Sequence, residues 1–313
     1  KQRIIIFGGT GFIGKNLVLN FAKNKNYNVV AIYNKQVRFK QKNVKWIKAN
    51  LLNEQIVEKI IKKNDIVIQA AATTSGSNDI INSPYLHVTD NALMNSIILR
   101  VCHKHKIKHF IFFSCTVMYS SSSYKVKEND LDLNKDIYEN YFGVGWTKVY
   151  IEKMCEFFSR ISNTKFTVIR HSNIYGEFDK FDLLKSHVFG ASITKVMTAK
   201  KNVKIWGEGN EKRDLLYVGD LVEFVDKVIK KQKIKFELIN VGLGKSISVL
   251  DLVKKIIKHS NKDLNIIFDK SKKSINTSLA LDIRNTKKYN WKPKTDIDKG
   301  IIKTIKWWKE NYK

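Results

Sequence analysis

Along the first half of the chain, short continuous apolar runs alternate with longer stretches of helical period. Residues 3–7 read Arg-Ile-Ile-Ile-Phe and end in glycines, the pattern of a strand buried on both faces. A helical pattern follows over 12–22, then an apolar run at 29–33. A strand is expected at 66–71, after a helix ending in Lys-Lys-Asn-Asp. Helix, strand, helix and strand follow at 89–105, 109–113, 144–161 and 166–170. Strands alternating with helices at these lengths predict an α/β fold, a Rossmann-type doubly wound parallel sheet.

Beyond Tyr175-Gly176 the rhythm changes. Helices are expected near 184–198, 221–229, 249–259 and 296–311, with strands near 203–206, 215–218 and 236–241. No second phosphate loop appears. The expected division is a dinucleotide-binding domain over 1–175 and a smaller α/β substrate-binding domain over 176–313, with segments around 215–245 returning to the first. The two prolines, Pro84 and Pro293, fall at element boundaries.

Composition narrows the function class. Hydrophobic residues make up 43% of 313, enough for a sizeable core. No apolar run approaches the roughly 20 residues of a membrane span, and no basic-then-apolar leader opens the chain. Cys102, Cys115 and Cys155 are too scattered for a disulfide or zinc framework, so no metal is expected and a cytoplasmic home is the simplest. The net charge of +28 admits an anionic partner, but Arg contributes seven of 57 basic residues and Lys is spread throughout. A nucleic-acid binder usually clusters its charge and uses Arg, so compositional bias is the better reading and no nucleic acid is expected as partner.

Gly8, Gly11 and Gly14 stand as Gly-x-x-Gly-x-x-Gly between a strand and a helix. In that setting the glycines serve a tight turn, close approach to a pyrophosphate and close packing of helix on strand. The helix N-terminus then offers N–H groups and a positive dipole end. The second strand ends in Tyr33-Asn34-Lys35, with Arg38 and Lys40 beyond, and no carboxylate is there to repel a 2′-phosphate. NADP is therefore physically allowed, while Asn34 suits a ribose hydroxyl.

The run Gly8-Gly9-Thr10-Gly11-Phe12-Ile13-Gly14 resembles the opening of the extended short-chain dehydrogenases, the NAD-dependent epimerase/dehydratase family. So do Ala70-Ala71, Asn91, Ser172-Asn173-Ile174-Tyr175-Gly176 and Arg213-Asp214-Leu215-Leu216-Tyr217-Val218, so the resemblance spans the chain. It implies NAD as cofactor, with contacts from Phe12, Ile13, Asn34, Asn50, Leu51, Ala70 and Ala71 besides the glycines. The second half is most similar to the GDP-L-fucose synthase branch. Ser186-His187-Val188, Lys195, Trp206-Gly207 and Arg213 keep that branch's spacings. The resemblance implies that Lys195 and Arg213 bind a pyrophosphate, that Trp206 lies near nucleotide or sugar, and that Asn173 and His187 contact the sugar. Taken singly, Lys195 reads equally well as a solvated cation and Trp206 as core.

The family's working set is a Ser or Thr, a Tyr, and a Lys four residues after the Tyr. Lys148 is in place, but Val144 stands where the Tyr belongs, and valine cannot transfer a proton. The hydroxyl position falls on Cys115, flanked by Ser114 and Thr116, either of which is the better donor. The branch's epimerase pair is a Cys and a His. The His maps to His187, and the Cys maps to Val117 or Cys115 according to the anchor chosen. Three readings of the missing Tyr stay open: Tyr141 or a water held by Thr116 carries the proton; the enzyme is slow; or the chain binds nucleotide without catalysis.

The expected function is NAD-dependent oxidation at C4 of a GDP-linked sugar of the GDP-manno-heptose type, giving a 4-keto sugar for capsule polysaccharide. The alternatives are a 4-keto reductase or epimerase and, from another class, a non-catalytic partner subunit. The family habit implies a homodimer through helices 89–105 and 144–161.

Overall fold

A computed structural model describes residues 1–35, 41–73, 83–183, 186–271 and 277–312. The chain opens with β1 (Gln2–Phe7), α1 (Phe12–Phe21), β2 (Tyr27–Tyr33), β3 (Val44–Lys48), α2 (Glu54–Ile60) and β4 (Ile66–Gln69). A long helix α3 (Thr89–Lys104), then β5 (His109–Ser114), the short β6 (Lys125–Val126), α4 (Phe142–Ile161) and β7 (Lys165–His171) continue the alternation. Beyond these come β8 (Asn173–Tyr175), α5 (Val188–Thr198), β9 (Asn202–Trp206), β10 (Lys212–Tyr217), α6 (Val218–Lys231) and β11 (Phe236–Val241). The chain closes with β12 (Ser246–Ser248), α7 (Val249–Ser260), β13 (Asn265–Asp269), β14 (Ala280–Leu281) and α8 (Ile297–Asn311).

One sheet has the order β11-β7-β5-β4-β1-β2-β3, and every pairing in it is parallel. Parallel strands are buried on both faces, which is why β1 reads as an unbroken apolar run. Alternate residues serve opposite layers: Ile4 and Ile6 join Leu17, Leu221 and Val225 on one face. Ile5 and Phe7 join Val57, Ile98 and Ile151 on the other. Ile5 is fully buried, so truncating it to Ala is expected to cost about 2–5 kcal/mol. The fold is thus a Rossmann-type α/β sheet. A late segment, α6 and β11, completes its edge, with β11 paired to β7.

Smaller sheets join β12, β10 and β8; β13 and β9; and β14 and β6. β8 follows directly on β7, so this part of the chain leaves the carboxyl end of the sheet, the end where ligands of doubly wound folds bind. Several details depart from the sequence reading. The strand expected at 66–71 stops at Gln69, and the helix before it stops at Ile60 rather than running into Lys-Lys-Asn-Asp. The helix expected near 184 begins at Val188; residues 184–185 lie outside the described residues. β3 was not anticipated, because lysines interrupt its apolar positions. Among the described residues no helix is long and apolar enough to cross a membrane.

Beneath the site a buried ion pair ties β7 to α4. Arg170 reaches both carboxylate oxygens of Glu152, at 2.6 Å from Nη2 to Oε2, and both side chains are 4% exposed. Tyr119 and the backbone carbonyl of Glu128 accept from the remaining guanidinium nitrogen, so the buried charge is well hydrogen-bonded. The Tyr119 hydroxyl in turn donates to Asn240 on β11 at 2.8 Å.

Candidate active site

The glycine loop forms a cradle that side chains would fill. Gly8 has φ +74°, and a Cβ there would lie 2.7 Å from the carbonyl oxygen of Ala70 and from Cα of Ala71. A Cβ on Gly14 would lie 2.1 Å from the Gly8 carbonyl oxygen. The turn is closed by the Gly11 N–H donating to that same carbonyl at 2.9 Å. Gly11 is the N-cap of α1, and no side chain caps the helix there, whereas Asn53, Ser248 and Asp296 cap α2, α7 and α8. Phe12 and Ile13 form the first turn, half-buried. An uncapped helix start with the backbone laid open by glycine suits a pyrophosphate. A dinucleotide therefore fits these residues.

Other predicted cofactor contacts lie around this cradle. Ala70 and Ala71 follow β4 and press on Gly8. Asn91 clamps the next loop, accepting from the Thr73 N–H and donating to its carbonyl, both at 2.9 Å. Asn34 and Asn50 are exposed just past β2 and β3, while Leu51 is buried. The Asn50 amide oxygen already accepts from the Leu52 N–H. Arg38 and Lys40 lie outside the described residues.

At the carboxyl ends of β5 and β7 the predicted catalytic residues separate into two groups. Ser114 is a correction. It is fully buried and donates to Glu152 at 2.5 Å, so its hydroxyl supports the ion pair beneath the site and does not face a substrate. Cys115 and Thr116 are half-buried beyond the strand end. Lys148, on α4, donates to the Phe113 carbonyl at 2.8 Å and stands over the Phe112 ring. Burial lowers its pKa, and Cys115 and Glu152 oppose that shift. Cys115 itself is pushed up by burial, with Lys148 opposing. Val144 lies one helical turn before Lys148, half-buried and without a proton to give.

Tyr141 packs with Cys115, Trp146 and Met118. Burial raises its pKa, and the cation that opposes this is Arg213. A phenol is a good base at neutral pH only when its pKa is lowered, so this environment works against Tyr141 in that role. His187 is the N-cap residue of α5 and reaches solvent. Crowding by protein atoms lowers its pKa, with Lys180 and His87 acting the same way.

The sugar-side residues show a second grouping. Lys195 stands over the Trp206 ring, 5.0 Å from its centroid, and donates to the Lys204 carbonyl at 3.1 Å. Trp206 is 42% exposed, so it is a surface ring under a cation rather than a core residue. Arg213, on β10, is half-buried and donates to the carbonyls of Lys212 and Thr277. Asn173 heads β8, paired with Leu215. The neighbouring Asp214 is buried and accepts from the N–H groups of Leu243, Gly244 and Leu281, a structural role.

Sequence reasoning missed His171. It ends β7, and its ring interacts with both Lys148 and His187. It also missed His87 and Lys180, which act on His187, and the pair Glu152–Arg170. A usable signal existed for His171: it directly follows the strand expected at 166–170 and precedes the Ser172-Asn173 motif, at the end of the sheet where α/β ligands bind.

Comparison with known proteins decides the family. Residues 4–242 match the model of the NAD dependent epimerase/dehydratase family. The chain belongs to the NAD-dependent epimerase/dehydratase family. As a member it is an NAD-dependent enzyme. It is similar to GDP-L-colitose synthase of Yersinia pseudotuberculosis, 27% identical over 98% of this chain and 97% of that one. GDP-L-fucose synthase of Azorhizobium caulinodans is 25% identical over 98% and 96%. Among solved structures, UDP-glucose 4-epimerase of Thermotoga maritima with UDP-glucose has a TM-score of 0.88 at 23% identity, covering 100% of both chains. All three relatives carry the names of enzymes of nucleotide-linked sugars.

Proposed function

We propose that this family member is an NAD-dependent oxidoreductase acting at C4 of a GDP-linked sugar, of manno-heptose type, to give a 4-keto sugar for surface-polysaccharide biosynthesis. The observation that carries the redox reading is the pairing of an intact glycine cradle with Lys148 fixed at the end of β5. Bound NAD supplies the hydride acceptor. Lys148 holds the nicotinamide ribose and contributes positive charge beside the reacting oxygen. Thr116 hydrogen-bonds the C4 oxygen. Asn173 and His187 hold the sugar, and Lys195, Arg213 and Trp206 hold the nucleotide diphosphate. The two GDP-sugar synthase relatives support GDP as the nucleotide, in line with Lys195 over Trp206.

The branch's two-step epimerisation needs an acid–base pair; aligned through Tyr119 its Cys position is Val117, which offers no proton-bearing group, whereas aligned through Ser114-Cys115 it is Cys115. Simple oxidation asks for less. The test is to purify the protein, load it with NAD, and add GDP-linked sugars one at a time at 340 nm. A rise with a GDP-manno-configured heptose supports the proposal. Binding of GDP and NAD with no spectral change for any sugar would turn the chain into a non-catalytic partner.

We also propose a homodimer. Leu93 on α3 and Tyr150, Phe157 and Ile161 on α4 are exposed large apolar groups on the two adjacent helices, and Tyr150 meets Ser96 across them at 3.2 Å. Light scattering at the monomer mass would overturn this.

A further inference from the structure

Val144 leaves the site without the residue that would move the sugar proton, and the structure offers a replacement on another element. His171 closes β7, one position beyond the last β5–β7 pairing, Ser114 with Arg170. It therefore stands at the carboxyl end of the sheet, the end where ligands of doubly wound folds bind. Its ring packs on Phe113, with centroids 6.1 Å apart. Its Nδ1 lies 2.7 Å from the carbonyl oxygen of Ser172. A carbonyl can only accept, so Nδ1 carries the hydrogen and Nε2 holds the lone pair. Nε2 has no hydrogen-bond partner among the described residues, and the ring is half-buried. One nitrogen is thus fixed by the backbone, and the other keeps its lone pair for a further partner.

The charged surroundings keep the ring neutral. Burial drives the His171 pKa down to about 4, and the groups acting in the same direction are Lys148 on α4 and His187 at the start of α5; the hydrogen bond to Ser172 acts against them. The imidazole is therefore neutral at pH 7 with its lone pair available, although so low a pKa makes it a weak base. It lies between the residue assigned to the nicotinamide ribose and a residue assigned to the sugar. Tyr141 is less suited, because the cation acting on it is Arg213 and burial raises its pKa.

We infer that His171 Nε2 accepts the proton of the sugar C4 hydroxyl, directly or through one water, in place of the family's tyrosine. This rests on the C4 oxidation reading above. The O–H bond breaks and its proton goes to Nε2, the C4–H pair leaves as hydride to oxidised nicotinamide, and the C4–O bond becomes a carbonyl. The imidazolium then returns its proton to water.

The test compares wild type, His171→Gln and His171→Phe. NAD content and GDP binding are expected to stay within about threefold of wild type, while single-turnover reduction of NAD falls about 10²–10⁴-fold, the usual loss for a general base. Rates within about threefold of wild type in both variants would overturn the inference while leaving the C4 reading intact. No turnover by wild type with any GDP-sugar would instead remove the C4 reading and with it the role of His171. Should both variants misfold, ¹⁵N-histidine NMR of the wild-type protein decides. The inference requires the Nδ1–H tautomer at His171, neutral down to about pH 5. An Nε2–H tautomer, or an imidazolium at pH 7, would contradict it.

Discussion

At the dinucleotide end of the cleft, function is carried by backbone. Gly8 and Gly14 leave no room for a side chain, and the helix start is left uncapped. At the sugar end, the proposed function rests on side chains from separate elements: His171 on β7, His187 before α5, and Lys195 in contact with Trp206. The first end tolerates almost no substitution and serves any reaction of the cofactor. On the proposed reading the second end has exchanged a catalytic residue at Val144 while α4 keeps its helix. Reaction type in this chain is thus set where the geometry is least constrained by packing.

The sharpest way to break the contrast is Gly14→Ala. Its Cβ would meet the Gly8 carbonyl oxygen at 2.1 Å, and neither backbone segment can yield without moving α1 from β1. NAD binding is expected to fall by at least about 100-fold, with stability reduced by roughly 1–3 kcal/mol or more; calorimetric titration and urea melts measure both. Near-normal NAD affinity would show that the backbone cradle is more plastic than the geometry implies.

Next in size is Glu152→Gln, which leaves Arg170 charged and buried. A loss of about 3–5 kcal/mol in urea denaturation is expected. Replacing both residues by Met is expected to recover much of it, because the uncompensated charge is the cause. Because Ser114 also engages Glu152, NAD affinity is predicted to change little, which separates scaffold from cradle.

Asp179 offers a pH test on the sugar side. It is 5% exposed; one oxygen accepts from the Lys180 N–H at 2.7 Å, and the other has no hydrogen-bond partner among the described residues. Burial raises its pKa to about 7. The native state then holds a proton that the unfolded chain has released above about pH 4, so stability falls as pH rises from about 4 to about 7. The fall is up to roughly 4 kcal/mol, and Asp179→Asn is expected to flatten it. An unchanged slope would place the acid dependence elsewhere.

The smallest expected effect is Lys195→Ala. Losing one phosphate-directed cation and its contact with Trp206 is predicted to weaken GDP binding about tenfold, near 1.4 kcal/mol, with NAD affinity unchanged. Equal weakening of both ligands would contradict the separation of the two ends.

Most of the sheet could be read from the sequence, because parallel strands and amphipathic helices announce themselves by period. β11 falls at 236–241 in the sequence reading and in the fold alike. β3 escaped because Lys45 and Lys48 break its apolar positions, and β6, β12 and β14 are too short to carry a period. In the site, the glycine loop was legible because only glycine fits there. The orientation of Ser114 was not, since a strand end leaves the facing of each residue open until the helix above it is placed. The role of His171 was harder to read for a related reason: Lys148 and His187 come to it through folding, and only the Ser172 carbonyl is its sequence neighbour.

The central claim, NAD-dependent oxidation at C4 of a GDP-linked sugar, is tested most directly by a single-turnover absorbance experiment at about 340 nm. Protein loaded with NAD is mixed with a GDP-linked manno-configured heptose. The account predicts a rise in reduced nicotinamide matched by formation of a 4-keto sugar. A flat trace with every GDP-linked sugar, from protein that still binds both GDP and NAD, would contradict it.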